Sequence, residues 1–594
     1  MRSLSLVAFG FLVTVAFGSE VSVGPNGIDS AATQLNGSGV LIGQVEQQRS
    51  GKADKDDEDH SAPNTFPERV YFVGTSGEIG ANIGVDIHAT LVAETMIGKD
   101  TSGNTYVGVA PDARLYSFGF GEGGAASEED IIFSMNRAAT IDNSGSRAIN
   151  NSWGVALQEP IQQPDGTHRI AMFLDWSTKR DDVLYVNAFP GGFANEPIST
   201  PSDSYNDITV AASDNGSPGL TYRMAWNENH YIGDAVGDRT SVDLLAPGTN
   251  IALRGFSGET TVESGTSVAA PHVTGAVALL QQYAQQQIDL NNDSFFGGAR
   301  RHEVMKAVLL NSADKIDGVQ GSGRTIMDTF GRSWDQSEAF VNSDIPLDDE
   351  MGAGHLNVQR ALRQYRDGEQ SLAAPVPHIG WDYSTIGGEG DPGVQYVLNG
   401  LASGQYLTAT LVWDRTLECT CLSGYTTGST FFNSGVANLN LRLVNKNGGS
   451  VVAQSVSQEM NLEHIFFQVQ DAGNYELQVS HDFGDIGTST QFVNYALAWW
   501  YGGGSAPLPG DYDRNGSVGP EDYDVWKSNF GTTSVDADGN GNGIVDAADY
   551  TIWRDHLGAD SGSAASVPEP STLLMLVGVA AIARRKRSTS FRSA

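Results

Sequence analysis

Short apolar runs alternate with longer segments of helical periodicity from about residue 36 to about residue 366. Uninterrupted apolar runs are typical of strands buried on both faces, and their alternation with helices predicts βαβ units around a parallel sheet. We therefore predict an α/β domain over residues 36–366. The strand-like runs are 40–42, 110–116, 183–186 and 208–211, and the helical segments are 128–139 and 268–283.

The pattern changes after residue 370. Up to residue 502, short runs of alternating polarity are separated by Gly, Asn and Asp, which predicts an all-β sandwich. Residues 503–509 are rich in Gly, Ser and Pro and are predicted to be a linker. A chain of 594 residues exceeds what one hydrophobic core supports, so several domains are expected. The predicted sandwich strands are 406–413, 438–444, 465–469, 475–479 and 495–501.

The N-terminal residues 1–18 combine a basic Arg2, an apolar run and small residues at Ala16 and Gly18. This order is typical of a secretory signal peptide, and a buried N-terminal helix is the alternative. Because Gly18 lies close to the first predicted core strand, we expect no separately folded segment between them.

The chain carries 71 acidic and 35 basic residues, for a formal net charge of −36. It offers no basic stretch interleaved with aromatic residues, so we expect no nucleic-acid partner. The acidity fits a solvated extracellular surface or bound divalent cations. Since Cys419 and Cys421 are the only cysteines, we expect no disulfide framework, and the two thiols are either free or bridged locally.

Residues 264–272 read Ser-Gly-Thr-Ser-Val-Ala-Ala-Pro-His, and an apolar helical pattern follows. Ser267 lies at the predicted start of that helix, after a glycine that allows a sharp turn. A helix N-terminus offers unpaired N–H groups and a positive dipole end, which would stabilise an oxyanion formed beside Ser267. A serine that only caps the helix is the alternative. The whole string resembles the nucleophile segment of subtilisin-like serine proteases, which implies that Ser267 is the catalytic nucleophile.

A second segment, residues 86–95, resembles the histidine segment of the same family. The resemblance implies that His88 is the general base, which takes the proton of the nucleophile and returns it to the leaving amine. Ala89, Leu91 and Glu94 stand where the family has two glycines and a second histidine. A structural histidine is the alternative.

Residues 39–46 align with the strand that ends in the family's catalytic aspartate, but this strand ends in Glu46. A carboxylate at this place must accept a hydrogen bond from the histidine ring and stabilise the imidazolium. Glutamate has the required chemistry, with one more rotatable bond. We therefore assign Glu46 as the acidic member of the triad. A surface residue at the end of the strand is the alternative, and Asp86 is a second candidate for the role.

Two further segments bear on substrate binding. Residues 183–192 stand where the family has a strand ending in Ala-Gly-Asn, and the alignment puts Pro190, which has no donor, at the place of that asparagine. Asn187, earlier in the same strand, is the remaining candidate for the oxyanion-stabilising amide. Residues 148–154 resemble the family strand that pairs with substrate, which implies substrate contacts by Ser152, Trp153 and Gly154.

Residues 510–559 contain two copies of one pattern, in which spaced Asp and Asn residues and a Gly turn precede a short helical segment. Spaced oxygen donors around a tight Gly turn suit structural Ca²⁺, and a metal-free turn is the alternative. Aspartate at the last loop position, with one helix per loop, resembles a dockerin module, which implies a cohesin-like partner. The predicted ligands are Asp511, Asp513, Asn515, Asp522, Asp538, Asn540, Asn542, Asp546 and Asp549.

The C-terminal residues 566–590 contain Val-Pro-Glu-Pro, a short apolar run and a basic cluster. The apolar run, residues 573–583, is too short to span a bilayer comfortably. The order of the three parts resembles PEP-CTERM sorting tags, which implies recognition by sorting machinery at the membrane. A plain amphipathic tail is the alternative.

Together these features predict a secreted or cell-surface serine endopeptidase that acts through an acyl-enzyme on Ser267. Its predicted parts are a subtilisin-like α/β domain, a β-sandwich, a small α-helical calcium module and a sorting tail. The chemistry requires no cofactor, and calcium is structural. The rival interpretation is a weakened or inactive pseudo-protease that serves as an extracellular binding or scaffold module, which Glu46, Pro190 and the altered histidine segment favour.

Overall fold

The structure of the chain is a computed structural model, and it describes most of residues 35–558. The predicted signal peptide, the 503–509 linker and the C-terminal tail lie outside the described residues. No helix in the described part of the chain is long and apolar enough to cross a membrane. The described residues are 35–53, 61–62, 70–73, 85–98, 108–121, 126–141, 145–157, 163–190, 199–214, 221–223, 236–254, 260–316, 325–366, 368–370, 372, 375–387, 391–421, 425–426, 428–433, 435–482, 492–502, 510–512, 518–531, 537, 539 and 545–558.

The N-terminal unit is built around a parallel sheet. Its strands are β1 (Leu41–Glu46), β2 (Lys52–Ala53), β3 (Ser61–Ala62), β4 (Val70–Val73), β5 (Arg114–Gly119), β6 (Ala148–Asn151), β7 (Val155–Ala156), β8 (Leu184–Ala188), β9 (Ser199–Thr200), β10 (Ile208–Ser213), β11 (Thr221–Arg223), β12 (Leu244–Pro247), β13 (Ile251–Arg254), β14 (Thr260–Glu263) and β15 (Thr325–Met327). Seven of them form one sheet in the order β12-β10-β8-β6-β1-β5-β4, with every neighbouring pair parallel. The predicted parallel sheet is confirmed.

Helices flank this sheet on both sides. They are α1 (Ile87–Ile97), α2 (Glu128–Thr140), α3 (Arg169–Asp181), α4 (Thr266–Asp289), α5 (His302–Asn311), α6 (Glu338–Val341) and α7 (Val358–Arg366). Helix α2 begins at a capping box, in which the Ser127 hydroxyl accepts from the Asp130 amide and the Asp130 carboxylate accepts from the Ser127 amide. Helix α4 is buried along most of its length, as its predominantly apolar first four turns require.

The second unit consists of two four-stranded antiparallel sheets. Its strands are β16 (Ile379–Ile386), β17 (Val394–Leu401), β18 (Tyr406–Trp413), β19 (Leu417–Cys419), β20 (Phe431–Asn433), β21 (Asn438–Asn445), β22 (Ser450–Ser455), β23 (Leu462–Gln468), β24 (Gly473–Asp482) and β25 (Val493–Gly502). One sheet has the order β16-β25-β18-β23 and the other β17-β24-β21-β22. Their facing sides share an apolar core that includes Trp413, Tyr475 and Trp499.

The two units also share a continuous apolar core. Helix α5 packs against β18 and β25, on the side of that sheet away from its partner sheet. Trp381, Val412 and Ala496 of the second unit belong to the same buried cluster as the apolar residues of α4 and α5. Arg415, which follows β18, pairs with Asp175 of α3 at 3.1 Å, and both side chains are buried. We therefore expect the second unit to depend on the first for its stability.

The hairpin β19–β20 covers part of this junction. Its Phe431 ring packs edge-on against Phe173 of α3, at a centroid distance of 6.1 Å. Cys419 and Cys421 form a disulfide bond, which selects the local bridge from the two alternatives predicted for these thiols.

The C-terminal unit is a pair of helices, α8 (Pro520–Asn529) and α9 (Ala547–His556), that make reciprocal contacts. The indole N–H of Trp526 donates to the Asp546 carbonyl at 2.9 Å, and that of Trp553 donates to the Gly519 carbonyl at 2.7 Å. Each helix therefore holds the start of the other, which matches the internal repeat in the sequence.

Lys315 is a buried cation at the junction of the two large units. Its ammonium nitrogen has no hydrogen-bond partner among the described residues and lies 5.3 Å from the Trp334 ring centre and 5.4 Å from that of Phe466. Burial lowers the pKa of Lys315 to about 7. The positive charge of Arg360 also lowers this pKa, and the negative charge of Asp314 opposes the shift more weakly. The charged amine is therefore disfavoured in the folded chain.

The lowered pKa of Lys315 predicts that the protein is more stable at pH 9 than at pH 7. Between the folded pKa of about 7 and the unfolded value of about 10.4, the unfolded chain binds a proton that the folded chain does not, so the free energy of unfolding rises with pH. Lys315→Met should raise this free energy at pH 7 by a few kcal/mol and flatten the rise. Denaturant unfolding of both proteins at pH 7 and pH 9 measures the effect, and equal slopes would contradict it.

Candidate active site

The predicted site residues lie at the carboxyl edge of the parallel sheet. Glu46 is the last residue of β1, residues 152–154 directly follow β6, and Phe189 directly follows β8. Functional groups gather at this edge of a parallel sheet because all the strands end there and are followed by loops.

Ser267 is the second residue of helix α4 and is half-buried. The preceding turn depends on Gly265, whose φ of +156° is in a region that side chains rarely adopt. The Gly265 carbonyl accepts from the amides of Val268 and Ala269. In the described part of the chain, neither the amide nor the Oγ of Ser267 engages a hydrogen-bond partner. Both groups are thus available to a substrate carbonyl at the positive end of the helix.

The carbonyl of Ser267 is held by a contact that the sequence did not reveal. Pro271 lies four residues later and has no N–H, so the usual helical bond to this carbonyl cannot form. The Ser152 hydroxyl donates to it instead, at 2.9 Å. Asn150 donates to that hydroxyl at 2.9 Å and accepts from Thr274 of α4 at 3.1 Å. These hydrogen bonds therefore fix the first turn of α4, called the serine turn below, to β6.

His88 and Glu46 are brought into direct contact. Nδ1 of His88 lies 3.5 Å from Oε2 of Glu46, with the histidine side chain 46% exposed and the glutamate side chain 4% exposed. Helix α1 begins beside the end of β1 because Asp86 caps it, accepting from the Ala89 amide at 3.1 Å. Since Nδ1 faces the carboxylate, Nε2 is left for a nucleophile.

Nearby charges set the pKa of His88. Burial disfavours the charged ring, but the contact with and charge of Glu46, followed by the charges of Asp86 and Glu263, outweigh burial and hold the pKa of His88 above its ordinary value. A base with a raised pKa is neutral only at higher pH, so activity that depends on His88 should increase with pH through that pKa.

An apolar cluster connects the histidine helix to the serine helix. It contains Leu91 of α1, Val268 of α4, and Ile251 and Leu253 of β13. Leu91 lies one turn after His88 and Val268 is adjacent to Ser267 in the chain. The packing of these side chains therefore holds the start of α1 beside the start of α4.

Asn187 does not lie where the oxyanion assignment requires it. Its side chain is fully buried, and its amide nitrogen donates to Asp207 at 2.5 Å. Its amide oxygen accepts from Asn151 at 2.8 Å. The assignment of Asn187 as a donor to substrate is therefore wrong, because the amide is committed to a network within the sheet.

Residues 152–154 and Pro190 border the serine turn. The hydroxyl of Thr266 donates to the Phe189 carbonyl at 2.7 Å, which holds Pro190 next to the nucleophile segment. The indole N–H of Trp153 donates to the Val45 carbonyl at 2.8 Å and so anchors the strand end that carries the glutamate. Gly154 is exposed, and a side chain there would collide with the Ser199 hydroxyl.

The calcium-loop residues are described in part. Asp511, Asp522 and Asp549 are buried, and the carboxylates of the latter two cap their own loops by accepting from the amides of Gly519 and Asp546, each at 2.7 Å. Asp546 caps α9, and its carboxylate accepts from the Ala548 amide at 2.7 Å. The remaining five predicted ligands lie outside the described residues, namely Asp513, Asn515, Asp538, Asn540 and Asn542.

The parallel sheet and the arrangement at its edge define an α/β protein with a serine, a histidine and a carboxylate on neighbouring elements. The chain belongs to the subtilase family, whose model matches residues 21–332. The model of the PEP-CTERM protein-sorting motif matches residues 566–588, which confirms the predicted sorting tail.

Curated relatives are similar over part of the chain. The subtilisin of Bacillus sp. (strain TA39) is 29% identical over 196 residues, which are 32% of this chain and 45% of that protein. Subtilisin Savinase of Lederbergia lenta is 30% identical over 197 residues, 33% of this chain and 63% of that protein. The chain thus spans less than two thirds of these relatives. Among solved structures, the S41 psychrophilic protease matches with 21% identity and a TM-score of 0.38, over 56% of this chain and 97% of that one.

Proposed function

We propose that the chain is an exported serine endopeptidase in which Ser267 is the nucleophile, His88 the general base and Glu46 the acidic member. The observation that carries the proposal is the 3.5 Å contact between Oε2 of Glu46 and Nδ1 of His88. The contact lies beside the helix start that presents Ser267.

The proposed reaction proceeds by acyl transfer. Oγ of Ser267 attacks the peptide carbonyl while its proton passes to Nε2 of His88, and Glu46 stabilises the resulting imidazolium. The imidazolium then gives the proton to the leaving amine, and an ester on Ser267 remains. His88 next takes a proton from water, which attacks the ester. The imidazolium then returns this proton to Oγ of Ser267 as the C–O bond breaks and the acid is released.

The oxyanion of this reaction has one clear donor, the Ser267 amide at the start of α4. Pro190 stands beside the nucleophile segment and offers no N–H. Loss of one oxyanion donor lowers kcat by about 10²- to 10³-fold in serine proteases. We therefore expect turnover slower by this order than in relatives that have a side-chain donor.

Hydrolysis of an unfolded protein tests the proposal. The wild-type chain should release new amino termini from the substrate, and His88→Ala should remove this activity. A matched control is His168→Ala, which changes a histidine outside the proposed site that caps the start of α3. Wild type that cleaves no unfolded protein, or His88→Ala that cleaves it as fast as wild type, would contradict the proposal.

A second candidate function is supported by one observation. Because Asn187 is committed elsewhere and Pro190 has no donor, this chain could bind extended polypeptides at the sheet edge without cleaving them. In that case peptides would bind to wild type and to Ser267→Ala with equal affinity, and neither protein would produce new termini.

For the remaining parts of the chain, we propose secretion through residues 1–18 and recognition of residues 566–590 by sorting machinery at the membrane. The PEP-CTERM match indicates export and sorting to the cell surface. We further propose that residues 510–559 form a dockerin-like module that takes a cohesin-like partner.

The same module is proposed to hold two structural Ca²⁺ ions. Its described residues fit this role, because Asp511, Asp522 and Asp549 are buried carboxylates at the first and last loop positions. Buried carboxylates in proteins are paired or coordinate metals. Calcium would supply folding free energy to a unit whose own apolar cluster is small.

Removal of calcium is expected to unfold the module while the rest of the chain stays folded. In a Ser267→Ala background, which prevents self-cleavage, residues 511–558 should resist an added protease with Ca²⁺ and become cleaved with chelator. Asp549→Ala should remove this calcium dependence for its loop, whereas Asp555→Ala, which changes an exposed aspartate on the same helix, should preserve it. Mass spectrometry of the fragments checks the result, and equal protection with and without calcium would refute it.

A further inference from the structure

A cluster of charged side chains lies at the seam between the two large units, beside the amino end of β8. Asp182 follows α3, and His302 and Glu303 begin α5. Within the described residues, this is the one place where three ligand atoms of His, Cys, Asp or Glu all lie within 4.8 Å of one another. His302 and Glu303 are buried and Asp182 is partly exposed.

The ligand atoms of the cluster lie slightly closer together than the ligands of a bound zinc ion would. Nδ1 of His302 lies 2.9 Å from Oδ1 of Asp182 and 3.2 Å from Oε2 of Glu303. Metal–ligand distances of about 2.0–2.2 Å for Zn²⁺ place neighbouring tetrahedral ligands about 3.3–3.5 Å apart. An opening of a few tenths of an ångström would therefore admit the ion.

One carboxylate oxygen in the cluster has no hydrogen-bond partner. Glu303 is 1% exposed, and its Oε2 accepts no hydrogen bond from any described residue, although it lies within ion-pair distance of Nδ1 of His302, at 3.2 Å. Its other oxygen, Oε1, lies 3.2 Å from the guanidinium of Arg301, which fixes the carboxylate. A buried carboxylate oxygen is costly unless a donor or a metal satisfies it.

The second nitrogen of the histidine is held in the way that metal-bound histidines require. Nε2 of His302 lies 2.9 Å from Oδ1 of Asp414, which follows β18 in the second unit. A carboxylate on one ring nitrogen orients the ring and leaves the other nitrogen for the metal. Here that other nitrogen faces Asp182 and Glu303.

A cavity adjoins the cluster on the side of Glu303. It has a volume of about 240 Å³ and is lined by Glu303 and Asp414 together with Lys179, Arg301 and Thr416. Three protein ligands with an open fourth position are a common arrangement for zinc. Imidazole and carboxylate ligands favour a transition-metal cation over Ca²⁺, which prefers oxygen ligands alone.

We propose that Asp182, His302 and Glu303 bind one divalent transition-metal cation of the Zn²⁺ class, with Asp414 positioning the histidine. The ion would tie α3 and α5 of the catalytic unit to the start of the β18–β19 connection and so stabilise the seam.

Zinc titration of the full chain tests the proposal independently of catalysis. Bound metal ions are first removed with a chelator, and the protein is returned to a buffer with excess Ca²⁺, so that the proposed calcium loops of residues 510–559 are occupied. Zn²⁺ binding is then measured by calorimetry. Wild type should bind one more Zn²⁺ than Glu303→Gln, and Asp414→Asn should bind it about 10- to 100-fold more weakly than wild type. Glu128→Gln should bind as wild type does, because it breaks an unrelated His–Glu pair, with His168 at 3.4 Å.

Substitution with Co²⁺ provides a second readout that a simple salt-bridge cluster would not give. The visible absorption of Co²⁺ in a low-symmetry site should appear in wild type and Glu128→Gln and be absent in Glu303→Gln. Zn²⁺ should also raise the melting temperature of wild type and leave that of Glu303→Gln unchanged. Equal zinc binding, cobalt absorption and thermal response in wild type and Glu303→Gln would overturn the proposal.

Discussion

Ser267→Ala is expected to lower the turnover of an unfolded protein substrate by about 10⁶-fold, the size of the loss when the nucleophile of a serine protease is removed. The reason is that Oγ of Ser267 forms the bond to substrate, and no other hydroxyl occupies the start of α4 in the same way. Since Oγ engages no hydrogen-bond partner in the described part of the chain, its removal should leave the melting temperature unchanged.

A matched control for this variant lies on the same turn. Ser264→Ala removes a hydroxyl of an exposed residue that accepts from the Asn250 amide at 2.8 Å. Ser264→Ala should keep turnover within a few-fold of wild type. Ser267→Ala with substantial remaining activity, measured on protein whose melting temperature matches wild type, would exclude Ser267 as the nucleophile.

Glu46→Gln is expected to lower kcat by about 10⁴-fold, the loss found when the acidic member of a serine protease triad becomes an amide. The amide preserves the shape, but it favours the wrong tautomer of His88 and removes the charge that opposes the imidazolium. Because the carboxylate raises the pKa of His88, the acid limb of the pH–activity profile should also move to lower pH. A purely structural role for Glu46 would lower activity without moving that limb.

Glu46→Asp distinguishes a site built around glutamate from a decayed aspartate site. Shortening the side chain by one carbon–carbon bond, about 1.5 Å, would withdraw the carboxylate from a nitrogen that is already 3.5 Å away. We therefore expect Glu46→Asp to be slower than wild type. A faster Glu46→Asp would show that the strand end retains the geometry for aspartate, and unchanged rates in both variants would remove Glu46 from the mechanism.

Many strands and helices of the N-terminal unit could be predicted because their sequence patterns are local. The strands predicted at 183–186 and 208–211 lie within β8 and β10, and the helix predicted at 128–139 is α2, with its cap at Ser127. Strands buried on both faces leave apolar runs in the sequence, and helix caps leave short polar signatures. The assignments of Glu46, His88 and Ser267 rest instead on the resemblance of their segments to those of the family.

Contacts between residues that are far apart in the sequence could not be predicted in this way. The bond from Ser152 to the Ser267 carbonyl exists because Pro271 leaves that carbonyl without its helical donor, and only the fold brings β6 to it. Asn187 was misassigned because alternation along a strand does not reveal which neighbours its amide meets. The charged seam between the two large units joins residues more than a hundred positions apart, as His302 and Asp414 show.

Covalent labelling with a fluorophosphonate probe tests the central claim most directly, because the probe reacts only with a serine that a neighbouring base has activated. We expect one phosphonate on Ser267 of the wild-type chain, located by mass spectrometry of the digested protein. Labelling should be lost in Ser267→Ala and His88→Ala, should be strongly slowed in Glu46→Gln, and should be retained in Ser264→Ala. A folded wild-type chain that takes up no probe, or that takes it up on a serine other than Ser267, would contradict the account.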